Sequence, residues 1–394
     1  MENIEFEYEK DEKDEFSISK AELSQAVLFT TDWTVETVIS QLTKDRISLT
    51  PTFQRRDAWR IDKKSRFIES ILLGLPIPQI VLAEDNEVRG QFLVLDGKQR
   101  LLTLLQFVGE APNSKWNSFR LKDLNYLTEL EGKTYNDLVG SGNYDEFAQA
   151  FMNYPIRSSI IRNWPNPKYL ETVFVRLNEG SLKLSPQELR QAMSPGPFSA
   201  HLDEFVWNSA AFRQLLNNSE PDFRMRDTEL MLRFLAFTLF PENYKGNLKE
   251  FLDETMLELN DSWVQNASLV KRTLADIDGA IQFGLDCFNG NFGKKFDVKT
   301  GDFASSLNRA VCEIEVYYLR DDAVREWVRK DPDAFLQILK KLTISNEDFR
   351  NSIESTTKSL TAVGTRFGLL GDELAKGVPL KVRPLHIIDG RLVG

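Results

Sequence analysis

Histidine is nearly absent from this chain: of 394 residues, two are imidazoles, His201 and His386. Zinc hydrolases, HNH nucleases and Ser-His-Asp hydrolases need imidazoles at defined spacings. Neither histidine has such a motif around it, so histidine-dependent nuclease chemistry is not expected here. Cysteine is as scarce. Cys287 and Cys312 are too few and too far from either histidine for a zinc site, and free thiols fit a cytoplasmic protein. Long apolar runs are missing too. The most apolar helix, Leu230 to Phe240, is short and carries Arg233, so no membrane span and no signal peptide are expected.

Excess positive charge is a further absence. Lys and Arg total 49 against 59 Asp and Glu, a net charge of −10. Such a chain is no generic polycation, and any contact with nucleic acid must use a local patch. Much of the acidity is itself local. Eight of the first sixteen residues are Asp or Glu, so residues 1–18 read as a solvated, disordered arm and the body is nearly balanced.

What the chain does have is enough apolar residue, 42 %, for two cores. Val35, Val38, Ile39 and Leu42 make an amphipathic helix capped by Thr34. A brief strand follows at 47–49, then a helix opening at Asp62 with the stripe Phe67, Ile68, Ile71 and Leu72. Gly74, Pro76 and Pro78 stop that helix, and strands are expected at 80–83 and 91–95. Further strands are expected at 119–121 and 154–161. From 168 the pattern is helical, over 168–178, 186–194, 199–217, 226–240, 247–259, 264–288, 303–320, 322–330, 333–342 and 345–361. The fold class is α+β: a small α/β domain at 19–165, an all-helical domain at 166–376 and a tail at 377–394, either a docking strand or a loose end.

The densest chemistry lies at Asp96-Gly97-Lys98-Gln99-Arg100, where an apolar strand turns into a helix. Leu101, Leu104, Leu105 and Val108 give that helix a core face. Its first turn carries two cations beside the positive end of the helix dipole, an unfavourable pairing that a bound phosphate would reverse. The same five residues also fit a plain strand-to-helix turn with wet charges. In the phosphate reading, Gly97 lets the backbone approach, Lys98 and Arg100 neutralise the anion, Gln99 donates its amide, and Asp96 caps the helix or holds a metal ion.

Weaker candidates surround this turn. Gln54, Arg55 and Trp59 offer planar groups on which a base could stack. Lys63, Arg66, Glu69 and Ser70 face away from the apolar stripe, and Glu69 is expected to pair with Arg66. Ser185-Pro186-Gln187-Glu188 is a capping box, which accounts for Glu188 but leaves Arg176, Asn178 and Arg190 as candidates.

Taken together, these elements resemble one family, the DGQQR family, the N-terminal domain of GmrSD-type modification-dependent restriction enzymes. The resemblance runs through Gln54-Arg55 with Trp59, Gly74-Leu75-Pro76-Ile77-Pro78, Asp96-Gly97-Lys98-Gln99-Arg100-Leu101, Phe174-x-Arg176-Leu177-Asn178-x-Gly180 and Glu188-Leu189-Arg190, over about residues 35–195. Lys98 departs from the family, which usually has glutamine there. The resemblance implies a ParB/sulfiredoxin-like α/β fold, binding and hydrolysis of a nucleoside triphosphate with Mg²⁺, and defence against phage DNA. In the family the domain is commonly joined to a histidine-bearing HNH nuclease, so a separate nuclease subunit is the expected partner. DNA, modified phage DNA included, is the implied target, and a homo-oligomer is compatible. The catalytic residues implied are Asp96, Gln99 and Arg100, with Asp96 the metal ligand. Gln54, Arg55, Trp59, Arg66, Gly97, Lys98, Arg176, Asn178 and Arg190 are the implied nucleotide contacts. The competing expectations are a non-catalytic DNA sensor and, last, a nuclease using metal held by Asp96 and Glu69.

Overall fold

A computed structural model describes residues 24–49, 59–111, 117–140, 142–177, 185–217, 222, 224–355 and 357–394. The acidic arm lies outside the described residues. The chain divides into two compact units after Met193.

The first unit is built on a five-stranded mixed sheet. In chain order it comprises β1 (Val27–Thr34), α1 (Val35–Thr43), β2 (Ile47–Ser48), α2 (Ile61–Leu72), β3 (Ile80–Glu84), β4 (Phe92–Asp96) and α3 (Lys98–Val108). These are followed by α4 (Tyr135–Leu138), α5 (Asp145–Asn153), β5 (Pro155–Arg162), α6 (Pro167–Leu177) and α7 (Pro186–Met193). The sheet order is β1-β5-β3-β4-β2. β3 pairs parallel with β5 and antiparallel with β4, and β1 pairs antiparallel with β5.

Both faces of the sheet are covered, which explains why β3 is apolar from Ile80 to Ala83 rather than alternating. Ile80 and Leu82 enter the core formed with α1, α2 and α3, while Val81 and Ala83 enter a smaller core with Leu170 and Phe174 of α6 and Leu189 of α7. That second core holds α6 and α7 with the sheet, so the unit ends at 193 and not at the expected 165. Local chemistry follows the sequence closely in α1: Thr34 Oγ1 accepts from Thr37 N at 3.2 Å, and Val35, Val38, Ile39 and Leu42 are buried.

The second unit is helical, with α8 (Pro197–Asn208), α9 (Ala210–Leu216), α10 (Arg226–Leu239), α11 (Leu248–Asp261), α12 (Trp263–Cys287), the two-residue strands β6 (Phe296–Asp297) and β7 (Asp302–Phe303), and α13 (Arg309–Leu319). Then come α14 (Asp322–Lys330), α15 (Pro332–Ser345), α16 (Glu347–Glu354), α17 (Leu360–Ala375) and a hairpin of β8 (His386–Ile388) and β9 (Arg391–Val393). Among the described residues no helix is long and apolar enough to cross a membrane. In the middle of this core, Glu313 of α13 pairs with Arg233 of α10 and with Arg366 of α17. Arg366 also donates to the Thr357 carbonyl at 2.6 Å, and all three charged side chains are at most 2 % exposed.

Several element boundaries differ from expectation, each for a local reason. Residues 119–121 are not a strand; this irregular segment is tied by Leu121 N to Lys133 O and Gly132 N to Leu121 O, both 2.8 Å. The helix expected over 199–217 breaks at Ser209, whose hydroxyl caps α9 by accepting from Phe212 N. The helix expected from 303 starts at Arg309, where Asn308 caps it. The stretch expected as 345–361 is α16 alone, and α17 follows as a separate helix. Gly364, Gly368 and Gly371 hide α17 from a reading by apolar period. They lie on one face, and side chains there would strike Ile387, His386 and Tyr318 within 3 Å. The tail is therefore a packed hairpin, with Leu385 and Leu392 buried.

Candidate functional site

The site is built where β4 runs into α3. β4 carries one extra residue opposite the Val81–Leu82 step of β3, a bulge immediately before Asp96. Bulges end regular pairing and re-aim the residues that follow. Gly97 then takes a left-handed conformation, φ 99°, and serves as the N-cap of α3. A Cβ at Gly97 would lie 2.5 Å from Ile80 Cγ2, so sterics as well as torsion demand glycine.

No side chain caps α3 and no acid stands in its first turn. Helix starts without a side-chain cap are attractive to anions. Asp96, expected as a cap or metal ligand, receives Arg100 Nη2 at 2.7 Å. The same guanidinium nitrogen donates to the Gln79 carbonyl at 2.9 Å. Gln79 in turn accepts from Ser159 Oγ at 3.1 Å, so a polar chain runs Asp96–Arg100–Gln79–Ser159 across three elements. Gln79 escapes a reading of the sequence because a backbone carbonyl leaves no residue signature.

Gln99 carries a second signal. Its Oε1 is shut away from solvent and has no hydrogen-bond donor among the described residues. A buried acceptor left unmade costs about 1–3 kcal/mol, and a ligand donor placed there would recover it.

The remaining candidates are spread over the unit. Gln54, Arg55 and Asn178 lie outside the described residues. Trp59 is half-buried, edge-on to Phe67 at 5.6 Å, with Lys63 Nζ 4.6 Å from its ring centroid. Arg66 is tied to Asp62 by an ion pair of 2.7 Å one turn back on α2. Arg176 is exposed in the last turn of α6. Arg190 is buried on α7 and donates to Gln187 Oε1. The capping box forms as expected, with Ser185 N to Glu188 Oε2 at 2.8 Å and Glu188 N to Ser185 Oγ at 3.1 Å.

Glu69 does not pair with Arg66. It is 3 % exposed and accepts backbone N–H groups from Asn125, Tyr126 and Leu127 at 3.1, 2.6 and 2.9 Å. Glu131 takes the two preceding amides, Asp123 and Leu124. Five consecutive amides thus end on two carboxylates, and Glu69 holds a loop rather than a metal. Burial pushes the Glu69 carboxyl up, but the three amide donors outweigh it and hold it below its usual 4.5. With the folded value depressed, this stabilisation is complete above the unfolded carboxyl value and disappears as pH falls through the folded one. Glu69→Gln keeps the shape but loses charge-assisted acceptance, so urea unfolding at neutral pH should show a loss of about 2 kcal/mol. The variant's stability should also fall less steeply on acidification. Equal acid limbs in the two proteins would contradict this account.

A sheet covered on both faces, ending in a glycine-hinged turn and an uncapped cationic helix start, defines an α+β domain. Residues 36–194 match the family model described as the GmrSD restriction endonuclease, N-terminal domain, and this part of the chain is a domain of that family. The match closes at Ser194, one residue past the end of the first compact unit at Met193. Among curated proteins, none matches the chain.

Proposed function

We propose that this chain is a restriction-system component whose first unit binds, and hydrolyses, a nucleoside triphosphate at the Asp96–Arg100 turn. The uncapped start of α3, hinged on Gly97 and flanked by Lys98, is the observation that carries the reading. The family match supports the restriction context. The α3 amides and Lys98 hold phosphate oxygens, and Arg100 braces Asp96 while adding positive charge to the turn. Gln99 Oε1 accepts a hydrogen bond from the water that attacks the terminal phosphorus, the water's surplus proton passes to an oxygen of the phosphoryl group being transferred, and the leaving nucleoside diphosphate takes the displaced P–O electron pair. Stabilising the charge that develops on the phosphoryl oxygens is the main demand of such a reaction.

Mg²⁺ suits a site with one carboxylate plus phosphate oxygens, and Asp96 is the carboxylate present at the turn. The ion supplies further charge neutralisation when bound. Arg55 and Trp59 serve the base, and Arg66, Arg176, Asn178 and Arg190 are further contacts of the same reading. DNA is the target, and the nuclease that acts on it resides on a partner chain.

Calorimetric titration with ATP, GTP and CTP in Mg²⁺ tests the site. Wild type should bind at least one of them, and Lys98→Ala should weaken it by about 10- to 100-fold, the worth of one charge-assisted contact. Arg100→Ala should abolish binding while the protein still melts cooperatively. Unchanged affinity in both variants, or no binding by wild type, would remove the phosphate assignment.

A further inference from the structure

The sheet leaves one of its long edges open. β1 is the terminal strand, and among the described residues no strand pairs with its outer side. Val27, Leu28 and Phe29 on it are 52, 65 and 46 % exposed. Open edges normally carry lysine, proline or a bulge that discourages pairing. β1 has none of these, and its one charge, Asp32, is already matched by Arg157 at 3.4 Å.

The ladder fixes which residues offer hydrogen bonds outward. β1 and β5 pair with Phe29 opposite Ile160, Thr31 opposite Ser158 and Trp33 opposite Ile156. The next rung of the same ladder, Val35 N to Tyr154 O at 3.0 Å, is hydrogen-bonded. Bonded and non-bonded rungs alternate in antiparallel pairs, so residues 29, 31 and 33 spend their backbone groups on β5. Residues 28, 30 and 32 point theirs at the open side. Pro155 opposite Thr34 agrees, because a non-bonded rung asks for no N–H.

We propose that two copies of this chain pair antiparallel along β1, joining their sheets about a two-fold axis at Thr31. An isologous contact needs a self-complementary strand, and the register decides whether β1 is one. Centring the axis on Thr30 sets Leu28 against Asp32, and centring it on Asp32 sets two like charges face to face. Centring it on Thr31 sets Phe29 beside the Trp33 of the second copy, Leu28 beside Thr34, and Thr30 where its hydroxyl reaches Asp32. Aromatic pairs and hydroxyl–carboxylate pairs are favourable cross-strand neighbours. In this register the outward-pointing residues 28, 30 and 32 fall on bonded rungs, as the ladder requires. The proposal is independent of the nucleotide reading.

Analytical ultracentrifugation of the full chain should give twice the chain mass at micromolar concentration. Thr30→Asp, which sets a second carboxylate against the Asp32 of the other copy on both rungs beside the axis, should raise the dimer dissociation constant by at least about tenfold. Thr31→Cys places two thiols on a non-bonded rung at the axis, with Cβ atoms about 4.5–5.5 Å apart, close enough for a disulfide after modest adjustment. Mild oxidation should then link this variant into covalent dimers, while wild type, with the same Cys287 and Cys312, stays unlinked. A monomeric wild type would overturn the proposal, as would a dimer indifferent to Thr30→Asp whose Thr31→Cys variant forms no covalent link.

Discussion

Gly97→Ala is expected to remove nucleotide binding and to lower the melting temperature of the first unit by about 5–20 °C, from a loss of about 2–5 kcal/mol. Two independent costs add. Holding a residue with a side chain in the left-handed region costs about 1–2 kcal/mol. The new methyl also lands 2.5 Å from Ile80 Cγ2 and 3.1 Å from Ile80 Cβ. Ile80 is 1 % exposed and sits on the central strand, so it cannot simply withdraw. Overpacking of that kind costs about 1–3 kcal/mol. Calorimetry on Gly97→Ala, Ile80→Val and the double variant separates the two terms. Truncating Ile80 should recover part of the steric cost and none of the torsional one, so the double variant should be more stable than the sum of the singles predicts. Strict additivity would mean that the methyl never meets Ile80. A variant that melts like wild type yet fails to bind would place the whole effect at the turn.

The second large effect is expected at Glu313. Replacing it with alanine strips the shared carboxylate from Arg233 and Arg366, both essentially closed to solvent. Leaving buried charge without its partner costs about 3–5 kcal/mol, far more than an intact buried pair contributes over an apolar substitute. For a unit of this size the midpoint of thermal unfolding should fall by about 10 °C or more. Glu313→Gln should fall between wild type and alanine, since an amide oxygen still accepts from one guanidinium. Nucleotide affinity should be unchanged in both, because Glu313 belongs to the second unit. A loss below about 1 kcal/mol in Glu313→Ala would mean that water or other acceptors replace the carboxylate.

Legibility from the sequence follows the range of the forces involved. α1 with its Thr34 cap, the stripe of α3 and the Ser185–Glu188 box are all readable, because each rests on neighbours within four residues. Gly97 is readable as a turn glycine, but the reason it cannot change sits on β3. β1 is not readable: Thr30, Thr31 and Asp32 interrupt its apolar residues, and only pairing with β5 makes it a strand. Arg100 reads as a free phosphate ligand, and the structure finds it committed to Asp96 and to a carbonyl in the β3 approach. Glu69 reads as the partner of its helical neighbour, while its actual partners lie 56 to 58 residues further on. In α17 the glycines weaken helix propensity, and only the hairpin they admit explains them. Tertiary contacts supply what local rules cannot.

The loop at 123–127 illustrates a wider consequence. Its shape rests on its two core leucines, Leu124 and Leu127, and on two glutamates elsewhere, which grip main-chain groups that every residue except proline possesses. Tyr126, 73 % exposed, can therefore be exchanged for almost anything without moving the backbone beneath it. Exposed positions of this kind, unlike Leu124 and Leu127 which enter the core beside them, are free to drift in sequence while staying fixed in space, a ready mount on which new surface chemistry can be tried at little risk to the fold.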